Sequence, residues 1–91
     1  MVELVQPPYY TRNLAKIRNL PVGSFVRLGP NPGDTIYTVT RKYHEVIDGT
    51  NVKEYFVDLQ PSQNLGEYTL RVGHMDRDAE RMTILARTPP A

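Results

Sequence analysis

The chain has 91 residues, 40% of them hydrophobic, with no cysteine and a formal net charge of +1. This length allows a single compact core but no additional catalytic lobe. The lack of thiols excludes disulfides, thiolate metal ligands and cysteine nucleophiles, and a charge so close to zero excludes a strong overall basic field. No window approaches the roughly 18 apolar residues of a membrane span and no export signal is recognisable, so we expect a cytoplasmic protein without a membrane partner.

One segment near the N-terminus has helical spacing. Thr11 is a candidate N-cap, Ile17 lies on the predicted apolar face, and Pro21 disfavours helical geometry at the residue before it. We therefore expect a helix of about two turns that ends near Asn19 and docks on the rest of the fold. The preceding segment "QPPYY", residues 6–10, has the composition of proline-aromatic peptides that docking domains bind. We expect it instead to pack across one end of its own fold.

From residue 22 onward the hydrophobic pattern alternates, which is typical of β-strands. Five short segments follow it, and the turn residues between them predict an antiparallel meander. The segments are "GSFVRLG", "TIYTVTRKY", "VKEYFVDL", "GEYTLRV" and "ERMTILA". In the last four, alternation places on one face Tyr37, Val39, Arg41 and Tyr43; Tyr55, Val57 and Leu59; Tyr68, Leu70 and Val72; and Met82, Ile84 and Ala86. We expect Tyr37, Tyr55 and Tyr68 in the core, with each hydroxyl reaching the rim.

The segment "GPNPGDT", residues 29–35, is the most motif-like in the chain. Glycines could let backbone N–H groups approach an anion, but the two prolines remove donors and a strand, not a helix, follows. We interpret the segment as the turn of a hairpin. Asp48 and Gly49 supply the positive φ that the next tight turn needs. The segment "RTPPA", residues 87–91, is typical of a frayed tail.

Few residues suggest chemistry. Alternate carboxylates at Asp76, Asp78 and Glu80 suit a cation loop, but the central glycine and distal glutamate of an EF-hand are absent, so we interpret the segment as a solvated turn with local ion pairs. His44 and His74 adjoin predicted strand ends, where surface histidines are common, and their spacing does not demand a metal. No serine lies in a nucleophile motif. We predict that the protein is not an enzyme and has no catalytic, metal or cofactor-binding residue.

The segment "RKYH", residues 41–44, combines basic side chains with an aromatic ring. Platforms for single-stranded nucleic acid use this combination, but it also suits an acidic peptide, or a soluble strand edge whose charges discourage strand addition. Basic residues are concentrated near the N-terminus, where residues 1–30 carry four of them against one acid. The predicted binding surface consists of Arg41, Lys42, Tyr43, His44, Arg12, Lys16 and Arg18.

A five-stranded antiparallel meander of this size most economically closes into a small barrel, because closure hides the sheet edges. We therefore predict a mainly β fold with an N-terminal arm and short helix over residues 1–21, a β-barrel over residues 22–87 and a disordered tail over residues 88–91. Within residues 21–43, "LPVGSFVRLG" and "DTIYTVTRKY" carry a Gly-x-x-Val-x-Leu strand, a turn and a Tyr-x-Val strand. This hairpin resembles the opening hairpin of small Src-homology-type barrels, including Tudor-like and KOW-type modules and many short phage and bacterial proteins.

A net charge near zero and an open edge that bears a tyrosine favour a non-enzymatic protein-protein interaction or assembly module over strong phosphate binding. The partner would be another protein or the chain's own oligomer, and no small-molecule substrate is expected. The short length, the helix before the strands and the lack of cysteine suit a phage-encoded accessory or virion component. Nucleic-acid binding through the basic-aromatic edge is the alternative function.

Overall fold

The computed structural model describes the backbone of residues 9–86 and the side chains of residues 11–86. The predicted packing of "QPPYY" and the predicted tail lie wholly or partly outside these ranges. Within the described part of the chain, two helices and five strands follow one another. They are α1 (Tyr9–Arg18), β1 (Phe25–Leu28), β2 (Ile36–Val46), β3 (Lys53–Pro61), β4 (Leu70–Gly73), α2 (Arg77–Arg81) and β5 (Met82–Ala86).

The five strands form one antiparallel sheet in the order β4-β3-β2-β1-β5. This confirms the mainly β class, the five strands and the short helix near the N-terminus. The pairing leaves the sheet open, because β4 and β5 each pair with a single neighbour. The predicted closure into a barrel is therefore not observed.

The loops between the strands behave largely as the turn chemistry predicts. Residues 29–35 connect β1 to β2, so the proline-rich segment is a hairpin connection. Gly49 has φ 75° in the β2–β3 turn, where the backbone N–H of Ile47 donates a 2.9 Å hydrogen bond to the Val52 carbonyl. A glycine is favoured at this position because L side chains rarely adopt such a φ.

One face of the sheet, the core face, is covered by both helices. Val26, Val39, Val57 and Leu59 are fully buried there. Residues from all seven elements form this cluster; its buried members are Ile17, Leu20, Val26, Val39, Val57, Leu59, Val72, Ala79 and Met82. The opposite face of the sheet, the outer face, has no helix of the described chain packed on it.

A β-bulge in β2 changes which residues share a face. Val39 pairs with Leu59 and Arg41 pairs with Asp58, so Thr40 is an extra residue without a cross-strand partner. Because side chains alternate with period two, one extra residue moves every later side chain to the opposite face. The prediction that Tyr37, Val39, Arg41 and Tyr43 share a face is therefore wrong.

A second irregularity lies in β5. Val26 pairs with Ile84 and Phe25 with Ala86, which leaves Leu85 as the extra residue. Ile84 lies on the core face as predicted, whereas Ala86 does not. Tyr68 also differs from the prediction, because it precedes β4 and is 41% exposed.

The helices differ in detail from the sequence-based expectations. Helix α1 begins at Tyr9, so Thr11 lies inside the helix rather than at its N-cap, and the helix ends at Arg18 as expected within one residue. The predicted solvated turn around Asp78 is a short helix, α2, whose Ala79 is fully buried. The small methyl side chain of Ala79 lets this helix approach the core closely. The residues around Ala79 are polar, so the sequence shows no sign of a buried position there.

Candidate binding surfaces

The β2 bulge divides the predicted basic-aromatic edge between the two faces of the sheet. Lys42 pairs with Val57 and His44 with Tyr55, which places both on the core face beyond the buried cluster. Arg41 and Tyr43 lie on the outer face. The four neighbours in the sequence therefore form parts of two separate surfaces.

On the outer face, four side chains form an aromatic stack, defined as Arg41, Tyr43, Phe56 and Arg71. The rings of Tyr43 and Phe56 are stacked with centroids 5.5 Å apart. The guanidinium carbon of Arg41 lies 4.3 Å from the Tyr43 ring centroid, and that of Arg71 lies 4.4 Å from the Phe56 ring centroid. The Tyr43 hydroxyl donates a 2.9 Å hydrogen bond to Oδ1 of Asp58. Burial, followed by this hydrogen bond, raises the pKa of Tyr43. The aromatic faces are thus occupied by the protein's own cations.

On the core-face side, a basic cleft of about 220 Å³ is lined by Arg18, Lys42, Tyr43, His44 and Tyr55. The Arg18 guanidinium carbon lies 5.5 Å from the Tyr55 ring centroid, and the His44 and Tyr55 ring centroids are 5.4 Å apart. Lys42 Nζ donates a 2.9 Å hydrogen bond to the Arg18 carbonyl at the end of α1. This bond joins the helix to β2 and fixes the cationic groups around one tyrosine.

The other predicted basic residues of α1 lie elsewhere. Lys16 Nζ donates hydrogen bonds of 2.9 Å, 3.4 Å and 3.1 Å to the carbonyls of Ala79, Glu80 and Met82. These carbonyls belong to the last turn of α2 and the residue after it, so Lys16 acts as a C-cap between the helices. Desolvation by burial lowers the pKa of Lys16. Arg12 is an exposed residue of α1 and does not line the basic cleft.

The sequence pattern predicts a surface position for His74, but the structure buries it. Its side chain is 1% exposed, next to Tyr55, whose ring centroid is 6.0 Å away. The Tyr55 backbone N–H donates a hydrogen bond of 3.0 Å to His74 Nδ1. Desolvation by burial lowers the pKa of His74, whereas the nearby Asp76 carboxylate acts in the opposite direction.

The acidic residues around α2 are used locally. Asp76 Oδ2 accepts a 2.9 Å hydrogen bond from the Gly73 backbone N–H, and Asp78 forms a 3.2 Å ion pair with Arg81. Among the residues that the structure describes, no group of three or more histidines and carboxylates could hold a metal ion. No helix in the described ranges is long and apolar enough to cross a membrane.

A second concave site is a feature that the sequence patterns did not predict. It is an open groove of about 960 Å³. We call it the apolar groove after its exposed hydrophobic lining, which includes Phe25 (41% exposed), Ile36 (43%), Tyr68 (41%) and Leu85 (39%). Phe25 and Ile36 belong to the outer face, and the β5 irregularity places Leu85 beside them. Alternation at Phe25 and Ile36 could have indicated outward positions, but no sequence signal marks the bulge that adds Leu85.

Hydrogen bonds hold the loop between β3 and β4 as one wall of this groove. Ser62 donates its backbone N–H to the Ile36 carbonyl at 2.9 Å, and its hydroxyl lies 2.7 Å from that of Thr38. The Gly66 backbone N–H donates to Gln60 Oε1 at 2.8 Å. The wall is therefore preformed, which reduces the entropy cost of binding.

Tyr68 is also fixed in position. Its ring meets that of Tyr37 edge-on with centroids 6.3 Å apart, and the two hydroxyls are 3.1 Å from each other. This hydrogen bond, followed by burial, raises the pKa of Tyr37 to about 12. Tyr37 itself packs against the core cluster, as predicted, with its hydroxyl at the rim.

Comparison of the chain with protein-family models, curated proteins and solved structures gave no match.

Proposed function

We propose that the protein is a non-enzymatic interaction module that docks a segment of another protein in the apolar groove. The observation that carries this proposal is the group of four exposed hydrophobic side chains around one preformed cavity. Scattered surface hydrophobics are ordinary, but contiguous ones around a concavity are typical of interaction sites. Among the described residues, the groove lining contains no histidine, lysine or arginine.

The charge of the lining suggests the chemistry of the partner. Within the described residues, the charged members of the lining are Asp34 on the β1–β2 loop and Glu67 on the β3–β4 loop, and both are acidic. Asn64 Nδ2 donates a 2.9 Å hydrogen bond to Glu67 Oε2, which orients that carboxylate. A complementary partner segment presents apolar side chains to Phe25 and Ile36, with a lysine or arginine near the carboxylates.

Selection from a random-peptide library on the immobilised protein tests this proposal. We expect enriched peptides to combine apolar residues with a lysine or arginine, and to lose about tenfold or more in affinity for the double variant Ile36→Ser, Leu85→Ser. The matched control is Val46→Ser, Val52→Ser, which removes two other exposed hydrophobics, 55% and 45% exposed, outside the groove. Equal binding to the groove variant and the wild type, or no enrichment, would contradict the proposal.

Nucleic-acid binding is the second candidate, and it is favoured by the absence of any carboxylate from the lining of the basic cleft. Fluorescence anisotropy with mixed-sequence single- and double-stranded oligonucleotides across a salt series tests it. Such a function predicts affinity that falls steeply with salt and weakens in Arg18→Ala or Lys42→Ala, which each remove a cation of the basic cleft. Absence of binding at low salt excludes this candidate.

Three further sequence-based expectations stay predictions. They are the Src-homology-type barrel, the cytoplasmic location and the role as a phage-encoded accessory or virion component. The docking proposal does not depend on them, because it rests on the groove alone.

A further inference from the structure

We propose that the basic cleft is a binding site for a phosphate monoester. The cleft collects donors of three types around the Tyr55 ring: the Arg18 guanidinium, the Lys42 ammonium and the His44 imidazole. Among the described residues, its lining contains no acidic side chain. Charge-assisted hydrogen bonds from arginine and lysine to oxyanions are the usual means of phosphate recognition.

The cationic groups of the cleft keep free donors. The ion pairs of Arg71 with Glu45 and of Arg81 with Asp78 use no cation of the cleft. The Lys42 ammonium donates one of its three N–H groups to the Arg18 carbonyl, which leaves two N–H groups for a ligand. The Arg18 guanidinium is held against Tyr55 by a cation-π contact, which leaves its N–H edges for an anion.

Size and ring accessibility favour a phosphate group over a nucleobase. The cleft volume of about 220 Å³ is below the roughly 300 Å³ at which pockets for drug-sized ligands begin. Base stacking needs a free aromatic face. The Tyr55 ring, however, is in contact with Arg18, His44 and His74, and the Tyr43 ring lies between Arg41 and Phe56. A compact oxyanion on a small substituent suits these limits better than a stacked nucleotide.

The end of α1 does not oppose this proposal. Helix C-termini carry partial negative charge, which disfavours anions nearby. Here the terminal Arg18 carbonyl accepts the hydrogen bond from Lys42, so a full positive charge lies directly at that end. The anion therefore meets the ammonium and guanidinium rather than an unpaired carbonyl.

Titration with O-phosphoserine, followed by amide chemical shifts in NMR spectra, tests the proposal, with serine and an eight-nucleotide oligo(dT) as comparison ligands. We expect O-phosphoserine to shift the amides of residues 42–44 and 55, and serine to shift none. Arg18→Gln and Lys42→Gln should each weaken binding about tenfold or more. Lys53→Gln is the matched control, because it removes the same charge at an exposed position outside the cleft, and should leave the affinity unchanged.

Several outcomes would overturn the proposal. These are no shift with O-phosphoserine at millimolar concentration, shifts away from the cleft, or equal weakening by Lys53→Gln. Tighter binding of oligo(dT), lost in the same cleft variants, would assign the cleft to nucleic acid instead. If Lys42→Gln disturbs the fold by removing the bond to α1, Arg18→Gln decides the result, because it keeps the backbone carbonyl that accepts this bond.

Discussion

Tyr55 and His74 are joined by a reciprocal pair of hydrogen bonds. The Tyr55 backbone N–H donates to His74 Nδ1 at 3.0 Å, and the His74 backbone N–H donates to the Tyr55 carbonyl at 2.9 Å. Since Nδ1 accepts this hydrogen bond, the neutral imidazole carries its own hydrogen on Nε2. The imidazole thus continues the pairing of β3 just beyond the end of β4, and it does so only while Nδ1 is unprotonated.

We predict that His74 makes the fold sensitive to acid. Burial lowers the His74 pKa in the folded state, so below about pH 6.5 the unfolded chain takes up a proton that the folded chain resists. The free energy of unfolding should therefore fall as pH decreases from about 7 toward 5, by at most about 1.4 kcal/mol per pH unit. Urea unfolding at pH 5, 6, 7 and 8 measures this slope.

Two variants separate His74 from its acidic neighbours. His74→Gln removes the titrating group and should flatten the acid slope. The pKa of Glu54 is raised by burial and by Asp76, so protonation of Glu54 stabilises the folded state as pH falls through its folded pKa. Glu54→Gln should remove this opposing gain. The unfolding free energy of this variant should therefore fall more steeply with decreasing pH than that of the wild type. An unchanged slope in His74→Gln would contradict the assignment to His74.

A second prediction concerns Gly73, which pairs with Phe56 across β3 and β4. A Cβ at Gly73 would meet the Glu54 carboxylate and lie 2.8 Å from a carbon of the Phe56 ring. Gly73→Ala therefore requires the Phe56 ring, the Glu54 carboxylate or the strand backbone to shift, and should cost about 1–3 kcal/mol of unfolding free energy. Urea unfolding and loss of the near-ultraviolet circular dichroism signal measure the effect.

Gly33→Ala is the matched control for this variant. A Cβ at Gly33 has no neighbour within 4 Å, and its backbone has no left-handed φ. Its unfolding free energy should stay within about 0.5 kcal/mol of the wild type. Equal effects at the two glycines would mean that the contact with Phe56 does not restrict position 73.

Much of the strand pattern could be predicted from the sequence because alternation survives wherever the strands are regular. Val57 and Leu59 in β3, and Val72 in β4, are buried on the core face as their spacing indicates. The pattern fails at Thr40 and Leu85, where one extra residue reverses the faces. A bulge has no clear signature in side-chain type, since it depends on the pairing with the neighbouring strand.

The candidate sites were harder to predict for the same reason. Arg41 and Lys42 are adjacent in the sequence, yet the bulge at Thr40 sends them to different surfaces. Phe56 fitted an outward position and is nonetheless buried, because Tyr43 and Arg71 cover it on the outer face. Contacts of this kind depend on residues far apart in the chain.

A third prediction assigns Lys16 a role in stability. Its ammonium joins α1 to the last turn of α2 through three carbonyls, and the methylene chain is partly buried. Lys16→Met keeps much of the apolar stem and removes the donors, and should cost about 1 kcal/mol of unfolding free energy. Lys53→Met, at an exposed position on β3, serves as the control and should cost little. Equal unfolding free energies for the two variants would show that the contact between the helices contributes no stability.

A final prediction separates the apolar groove from the core. Ile36 and Leu85 are 43% and 39% exposed, so replacing either by serine removes little buried area and should cost less than about 1 kcal/mol of unfolding free energy. Val26 is fully buried on the adjacent strand, and Val26→Ala should cost about 2 kcal/mol because it leaves a cavity. Retention on a hydrophobic-interaction column should fall for the two groove variants and not for folded Val26→Ala. If the groove variants lose as much stability as Val26→Ala, their side chains support the fold, and reduced partner binding could not be assigned to the groove surface.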